Sequence, residues 1–448
     1  MNEQLQKITN AVEKYRALIL SAERYLWAHP ETGYKEYMTT DYMAEKFRAL
    51  GYTLTMAEGI TGFYTVLDTG REGPEIMILG ELDSIICPAH KEADPVTGAV
   101  HSCGHHAQCA TLLGIAAALK EQGMLDGLSG RIRLCAVPAE ELLELEYRGN
   151  LRREGKIRYF GGKSEFLSRG YFDGVDIAFM VHTTTGESYV LNGGHVGCMT
   201  KSVTYRGKAA HAGGAPQDGI NALYAANCGL NAVNAIRETF RDADQIRVHP
   251  IVTAGGDMVN AIPETVRLES YVRGATFDAI VKANRRVNRA LVGAALSLGA
   301  NVDIVDVPGY APNNNDPVFS DLAEDVFSKI LPSRKVIRKH VRGSGSTDMG
   351  DLSSIMPTIQ PYAPGAVGTS HGNDYYLVDP VAACVDNAKW QLAILFSLLE
   401  NGAEEARRIL AAFKPQFESA EAFLAYMDSL YDEGDRITYT EEGATARL

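Results

Sequence analysis

In the first thirty residues, Leu5, Ile8, Val12, Tyr15, Leu18, Ala22 and Leu26 recur at three- and four-residue steps. That period predicts one amphipathic helix, stopped at the His29-Pro30 step because the residue before proline is pushed out of the helical region. A second helical pattern at 39–50 ends on Gly51, and short β-rich runs follow at 63–67 and 76–79. The second run opens into Gly80-Glu81-Leu82-Asp83. A further helix is expected at 107–119, where Gly114 and several alanines point to tight packing. The strand expected at 131–137 runs into Pro138-Ala139-Glu140-Glu141. Residues 142–172 read as a charged helical insertion, after which 177–181 resumes as a strand ending on His182. In an α/β domain, polar groups just past buried strands lie at the carboxyl edge of the sheet, where sites are built.

From about residue 195 the pattern changes. A strand (196–205), a helix (220–240), two strands (246–253 and 265–273), a helix (277–298) and a strand (302–307) make a β-α-β-β-α-β series. This order predicts a ferredoxin-like split-βαβ domain. Gly193-Gly194 and Pro308-Gly309 with Pro312-Asn313-Asn314-Asn315 mark its edges. The expected architecture is therefore α/β. A catalytic domain with a central mixed sheet (1–194 plus 312–448, with a tail from 402) carries an inserted lid or dimerisation domain at 195–311. Gly-bounded loops at 343–348 and 368–372 and a closing helix at 381–399 complete the catalytic part.

Composition narrows the class. At 448 residues the chain fits two domains, on a prior of about 100 to 200 residues each. Hydrophobic content of 46% and charged content of 22% are those of a globular protein. No apolar run approaches the roughly 20 residues needed to span a bilayer, and the polar N-terminus has no secretory h-region. A net charge of −13 argues against nucleic-acid or anionic-membrane partners. The seven scattered cysteines form no disulfide framework. A reducing, cytoplasmic setting is expected.

The candidate chemistry begins at His101–Gln108, HSCGHHAQ. Thiolate and imidazole bind borderline-soft divalent metals well, so Cys103 and His105 are candidate ligands. The bland alternative for this stretch is a helix start with a buried thiol. Strand ends and loops add Asp83, Glu140, Glu141, His182 and His371, about the number of groups a binuclear site requires. Two metal ions can polarise a carbonyl and activate water, while a carboxylate that is not a ligand moves the proton. His101, His106, His195, His249 and His340 read as surface or satisfied core histidines, and Cys109 and Cys135 as small apolar fillers.

The sequence resembles the amidohydrolase branch of the zinc carboxypeptidase and aminoacylase superfamily, metallopeptidase family M20, subfamily D. Eight collinear motifs between His29 and Asp379 carry the likeness: HPETGYKE (29–36), GELD (80–83), HSCGHH (101–106), PAEE (138–141), GKAAHAGGAPQDGINAL (207–223), NAIPE (260–264), STDMGDLS (346–353) and SHGNDYYLVD (370–379). The resemblance implies Cys103, His105, Glu141, His182 and His371 as ligands of two divalent metals, zinc foremost, with Mn, Co or Ni as alternatives. It implies Glu140 as general base and acid, and Asp83 as the group orienting a ligand imidazole. His211 would reach the substrate carbonyl from a partner subunit, and Asn260 and Arg273 would hold the substrate carboxylate. The implied substrate is an N-acyl or N-aroyl amino acid, with a dipeptidase or carboxypeptidase, or a non-catalytic carboxylate binder, as the rivals. A homodimer through the lid is the family expectation. The chain departs from its relatives at His106, commonly Asp, and at Gln108, commonly His. The 142–172 insertion has no counterpart and is placed to line the pocket.

Overall fold

A computed structural model of the protein describes residues 3–448. Its central sheet has six strands, in the spatial order Thr55–Met56, Phe63–Asp68, Arg131–Val137, Glu75–Glu81, Ile177–Phe179 and Thr358–Ile359. The last four run parallel, so their carboxyl ends share one edge. Glu75–Glu81 is buried along its whole length, as a central parallel strand covered on both faces must be. Just past these strands lie Asp83, Glu140, His182 and Tyr362. A smaller sheet continues the edge, pairing Tyr362–Ala363 with His182–Thr183 in parallel.

Helix His105–Leu119 is buried at every position. It packs beneath the sheet against Arg16–Trp27 and Asn387–Leu399, within the largest apolar core. An all-round apolar helix is stable only inside such a sandwich. The N-terminal pattern, expected as one helix, is two: Glu3–Lys14 and Arg16–Trp27. The break falls at Tyr15, whose hydroxyl donates to Glu121 Oε1 at 2.5 Å and whose backbone leaves the helical region (φ −100°, ψ 11°).

The inserted segment forms its own antiparallel sheet, in the order Arg247–Val248, Thr265–Gly274, Gly197–Arg206, Asn301–Tyr310. Helices Ala222–Ile236 and Phe277–Ser297 cover it over a separate apolar core. The strand expected at 246–253 is split into Arg247–Val248 and Ile251–Ala254. Pro250 lies in the gap, and proline has no N–H for the ladder. The C-terminal tail adds Asp432–Asp435 to the far edge of this sheet, antiparallel to Asn301–Tyr310. Where the chain enters and leaves the insertion, Gly194–His195 pairs with Asn313–Asn314. Gly194 is required there: its φ is +124°, and a Cβ would lie 2.0 Å from Asn313 O.

The 142–172 segment contains helices Leu145–Arg153 and Gly162–Ser168. Of this segment only Leu142 reaches the cavity described below. The segment reaches the back of the Glu140–Glu141 turn through Arg148, which donates to the carbonyls of Ala139 and Glu141. No helix among the described residues is long and apolar enough to cross a membrane.

Candidate metal centre

Cys103 and His105 flank Gly104, which precedes the buried helix with φ +93°. A Cβ at Gly104 would stand 2.7 Å from both Thr183 Cβ and Tyr375 Oη, so only glycine lets the thiol and the imidazole turn toward the same edge. His105 Nδ1 is 3.0 Å from Asp83 O and 3.1 Å from Asp83 Oδ1. That leaves the buried Nε2 without a hydrogen-bond partner. His182 Nδ1 faces Thr183 O at 2.7 Å, which turns Nε2 toward Cys103 Sγ at 3.5 Å. A ring nitrogen that donates to oxygen fixes the tautomer and frees the other for a metal.

Ligand atoms of Cys103, His105 and His182 lie within 4.8 Å of one another, as do those of Cys103, Glu141 and His371. Cys103 belongs to both sets. His371, half-exposed on its glycine-bounded loop, has φ 63°; its Nε2 is 3.0 Å from Glu141 Oε1, and its backbone N–H donates to Ser102 O at 2.9 Å. A third set, Glu81, His105 and Glu140, is wholly buried. The soft thiolate, the imidazoles with one nitrogen unpartnered, and the carboxylates are a donor set that fits divalent ions.

Charge is graded across the site. Burial pushes the Glu140 carboxyl well above its ordinary range, and the negative charges of Glu81 and Glu141 push it the same way. Burial pushes the Glu141 carboxyl up, but the His371 imidazolium beside it, with His105 and the Cys103 thiol, together hold it low. At His105 burial opposes the charged form, yet Glu81 and Asp83 carry the imidazole up to about 9. Burial, with His105 beside it, takes His182 down to about 4. Adjacent glutamates thus differ: Glu140 holds a proton readily and Glu141 does not.

The Glu140–Glu141 turn is constrained from behind. Ala139 has φ 56°, a strained conformation that persists only where neighbours over-determine it. Glu36 Oε1 accepts from Ala139 N at 2.8 Å, and Asp83 Oδ2 accepts from Glu141 N at 2.8 Å. Arg148, 1% exposed, donates to the carbonyls of Glu141, Ala139 and Phe160.

Several groups here had no role in the sequence reading. Lys163, fully buried, bridges Glu81 Oε1 at 2.5 Å and Asp348; burial opposes its charge, but Asp348 and Glu81 prevail and raise it. Gln108 donates to Glu81 Oε2 at 2.9 Å, so that departure serves to hold Glu81. His106, the other departure, lies 3.5 Å from Glu23 Oε1 behind the helix. The available signal for Lys163 was the preceding glycine pair: a Cβ at Gly162 would sit 1.6 Å from Pro138 O, a close backbone approach at the turn that carries Glu140 and Glu141.

A cavity of about 270 Å³ opens over the cluster. Cys103, Glu140, Glu141, His182 and His371 form its floor. Arg273 lines it, together with Cys198 and Tyr310, the residues paired across the three neighbouring strands of the inserted sheet. His195, expected at the surface or in the core, is buried and lines the cavity too. His211 and Asn260 do not line it; both are exposed, joined through the His211–Ala261 bridge and an Ala212 N to Asn260 O bond of 2.9 Å. Asp83 lies beneath the floor, fully buried.

Comparison with known proteins gives a consistent picture. The sequence model of peptidase family M20/M25/M40 matches residues 77–397. The chain is similar to Xaa-Arg dipeptidase of Mus musculus, 26% identical, covering 80% of this chain and 78% of that one. It is similar to indole-3-acetyl-aspartic acid hydrolase of Enterobacter agglomerans, 27% identical, covering 78% and 86%. In fold it resembles a dinuclear metal-binding peptidase of the M20 family from Bacillus subtilis, with a TM-score of 0.62 at 19% identity over 86% of this chain and 99% of the other.

Proposed function

The chain belongs to peptidase family M20/M25/M40 and is a hydrolase of amide bonds, and we propose that it is a binuclear metal-dependent amidohydrolase releasing a carboxylic acid and an amino acid from an N-acyl or N-aroyl amino acid. The observation that carries the proposal is the sharing of Cys103 between two donor sets, with Glu140 beside them on the same cavity floor. One ion would sit among Cys103, His105 and His182, the other among Cys103, Glu141 and His371; zinc suits the thiolate and imidazoles best, with Mn, Co and Ni as alternatives. Bound there, the ions would supply Lewis acidity to the carbonyl and lower the pKa of the attacking water.

The chain's own groups divide the remaining work. Glu140 takes a proton from the water as its oxygen bonds to the carbonyl carbon, and gives it to the nitrogen as the C–N bond breaks. Its place on the cavity floor beside both donor sets suits both transfers. Asp83 fixes the His105 tautomer. Arg273 orients the substrate carboxylate, where a guanidinium can bind bidentately.

His211 and Asn260, exposed in the inserted domain, take part only if supplied across a subunit interface. A homodimer through that ferredoxin-like lid is therefore part of the proposal. Ile251, Val252, Met258 and Val259 are exposed along the lid's edge strand and the loop after it, an apolar surface suited to such an interface. A cytoplasmic location is proposed with it, since a reducing compartment keeps the Cys103 thiol available.

The second reading is a dipeptidase on the same site, favoured by the likeness to Xaa-Arg dipeptidase. A purely binding role has no use for a proton shuttle at Glu140. Metal analysis combined with product-resolved assays on N-acyl amino acids and dipeptides is the test. Turnover of dipeptides alone would replace the leading reading with the second.

A further inference from the structure

Glu81 ends the central strand Glu75–Glu81 and is fully buried beneath the cavity floor. Its Oε2 lies 3.3 Å from His105 Nε2, the ring nitrogen that Asp83 leaves free for an ion. Two ligand atoms each about 2.0–2.1 Å from one tetrahedral ion stand about 3.3 Å apart. Glu81 also belongs to a donor set of its own with His105 and Glu140. This carboxylate is therefore within reach of the ion that Cys103, His105 and His182 would hold, and none of the work assigned above uses it.

Both of its oxygens are occupied from the protein side. Oε1 accepts from the Lys163 ammonium at 2.5 Å, and Oε2 accepts from Gln108 Nε2 at 2.9 Å. The Gln108 amide can face only one way, because its own Oε1 accepts from Glu81 N at 3.3 Å. Lys163 is anchored in turn by Asp348, which pairs with its ammonium and accepts from its backbone N–H at 3.0 Å. To become a ligand, Glu81 would have to give up charge-assisted bonds, which are about twice as strong as neutral ones.

The number of ligands gives this restraint its consequence. A catalytic ion has three protein ligands and an open position for water or substrate, whereas a fourth protein ligand closes the site. Cys103, His105 and His182 are three. We propose that Gln108 and Lys163 are positioning residues that hold the Glu81 carboxylate out of the coordination sphere, so that the ion at His105 keeps its open position. This rests on the binuclear amidohydrolase reading above.

The experiment uses Gln108→Met and Lys163→Met in the full chain, each alone and each combined with Glu81→Gln. Zinc affinity is measured by chelator competition, and coordination by the visible spectrum of the cobalt-loaded protein. Loss of an ordinary supporting contact weakens metal binding about 10–100-fold. Release of Glu81 acts in the opposite direction. Zinc should bind more tightly, the cobalt absorption should shift as a carboxylate oxygen takes the open position, and kcat should fall about 10–100-fold. Adding Glu81→Gln should return all three toward wild type, because a neutral amide is a poor ligand for the ion. Weaker zinc binding or an unshifted cobalt spectrum in either single variant would remove that residue from the role. Changes that persist with Glu81→Gln would overturn the proposal. Lys163→Met leaves two buried carboxylates without their counter-charge, and if it fails to fold, Gln108→Met decides alone. The metal readouts need no turnover: a wild type that binds zinc and cleaves no amide would sink the functional reading while zinc affinity and the cobalt spectrum still judge this inference. A wild type that holds no divalent ion would overturn both.

Discussion

Cys103 Sγ lies 3.5 Å from His182 Nε2 and also groups with Glu141 and His371, so a single thiol joins the two halves of the site. Removing it should be felt twice. Cys103→Ala is expected to lose both ions on dialysis, whereas His371→Ala should keep close to one, because Cys103, His105 and His182 remain. Metal content by mass spectrometry decides this, and a Cys103→Ala protein with a full complement would end the ligand assignment.

Glu140 is buried at the cavity floor with its carboxyl raised by burial, Glu81 and Glu141. Glu140→Gln keeps the volume and removes the proton acceptor. Its kcat should fall by about 10²–10⁴ with metal content unchanged. Turnover near the wild-type value would transfer the proton to another group.

Arg148 ties the insertion to the turn that carries Glu140 and Glu141. Arg148→Met would leave buried carbonyls unpartnered and release the strain at Ala139. A loss of about 2–3 kcal/mol is expected for bonds of this charged kind, read by urea unfolding, with kcat reduced more than KM is raised. Unaltered stability would mean that the turn holds itself.

Arg273 is the cavity's guanidinium, set beside Cys198 in the sheet register. Arg273→Met should raise KM for carboxylate-bearing substrates by about one to two orders of magnitude, the worth of a charge-assisted pair. It should leave the corresponding amino acid amide unaffected. Equal effects on the two substrates would remove the carboxylate role.

Glu36 is buried, and its carboxyl is pushed up to about 8, burial first and Asp83 next. A group whose folded pKa is raised stabilises fully below its unfolded value, ordinarily 4.5. That contribution is lost as pH rises through about 8. Glu36→Gln, which keeps an oxygen for Ala139 N, should therefore gain in melting temperature relative to wild type as pH goes from 5 to 8. A difference independent of pH would show that Glu36 does not change charge on folding.

Much of the plan was legible along the chain. Buried strands with short polar continuations announced Asp83, Glu140, Glu141 and His182, since period and punctuation are local properties. The β-α-β-β-α-β order of the inserted segment was legible in the same way, as were the glycines at its edges. Local pattern failed at Tyr15 and Pro250, where one side-chain contact and one missing N–H divided elements that periodicity ran together.

The contacts of Lys163, Gln108 and Arg148, and the place of His195 and Tyr362 in the cavity wall, were not legible. Lys163 and Arg148 lie in a stretch that reads only as a charged helical insertion, yet both are fully buried because Glu81, Asp348 and the turn carbonyls neutralise or accept from them. A buried charge is stable only when its partners are assembled, and these partners come from segments up to 185 residues apart. The sequence by itself determined which thiol, imidazole and carboxylate groups stand at the strand ends and loops, and in what order. Which thiol the two donor sets share, and that the Glu140 carboxyl is raised while that of Glu141 is lowered, were decided only by the tertiary structure, because each depends on distances and burial between strands far apart in the chain.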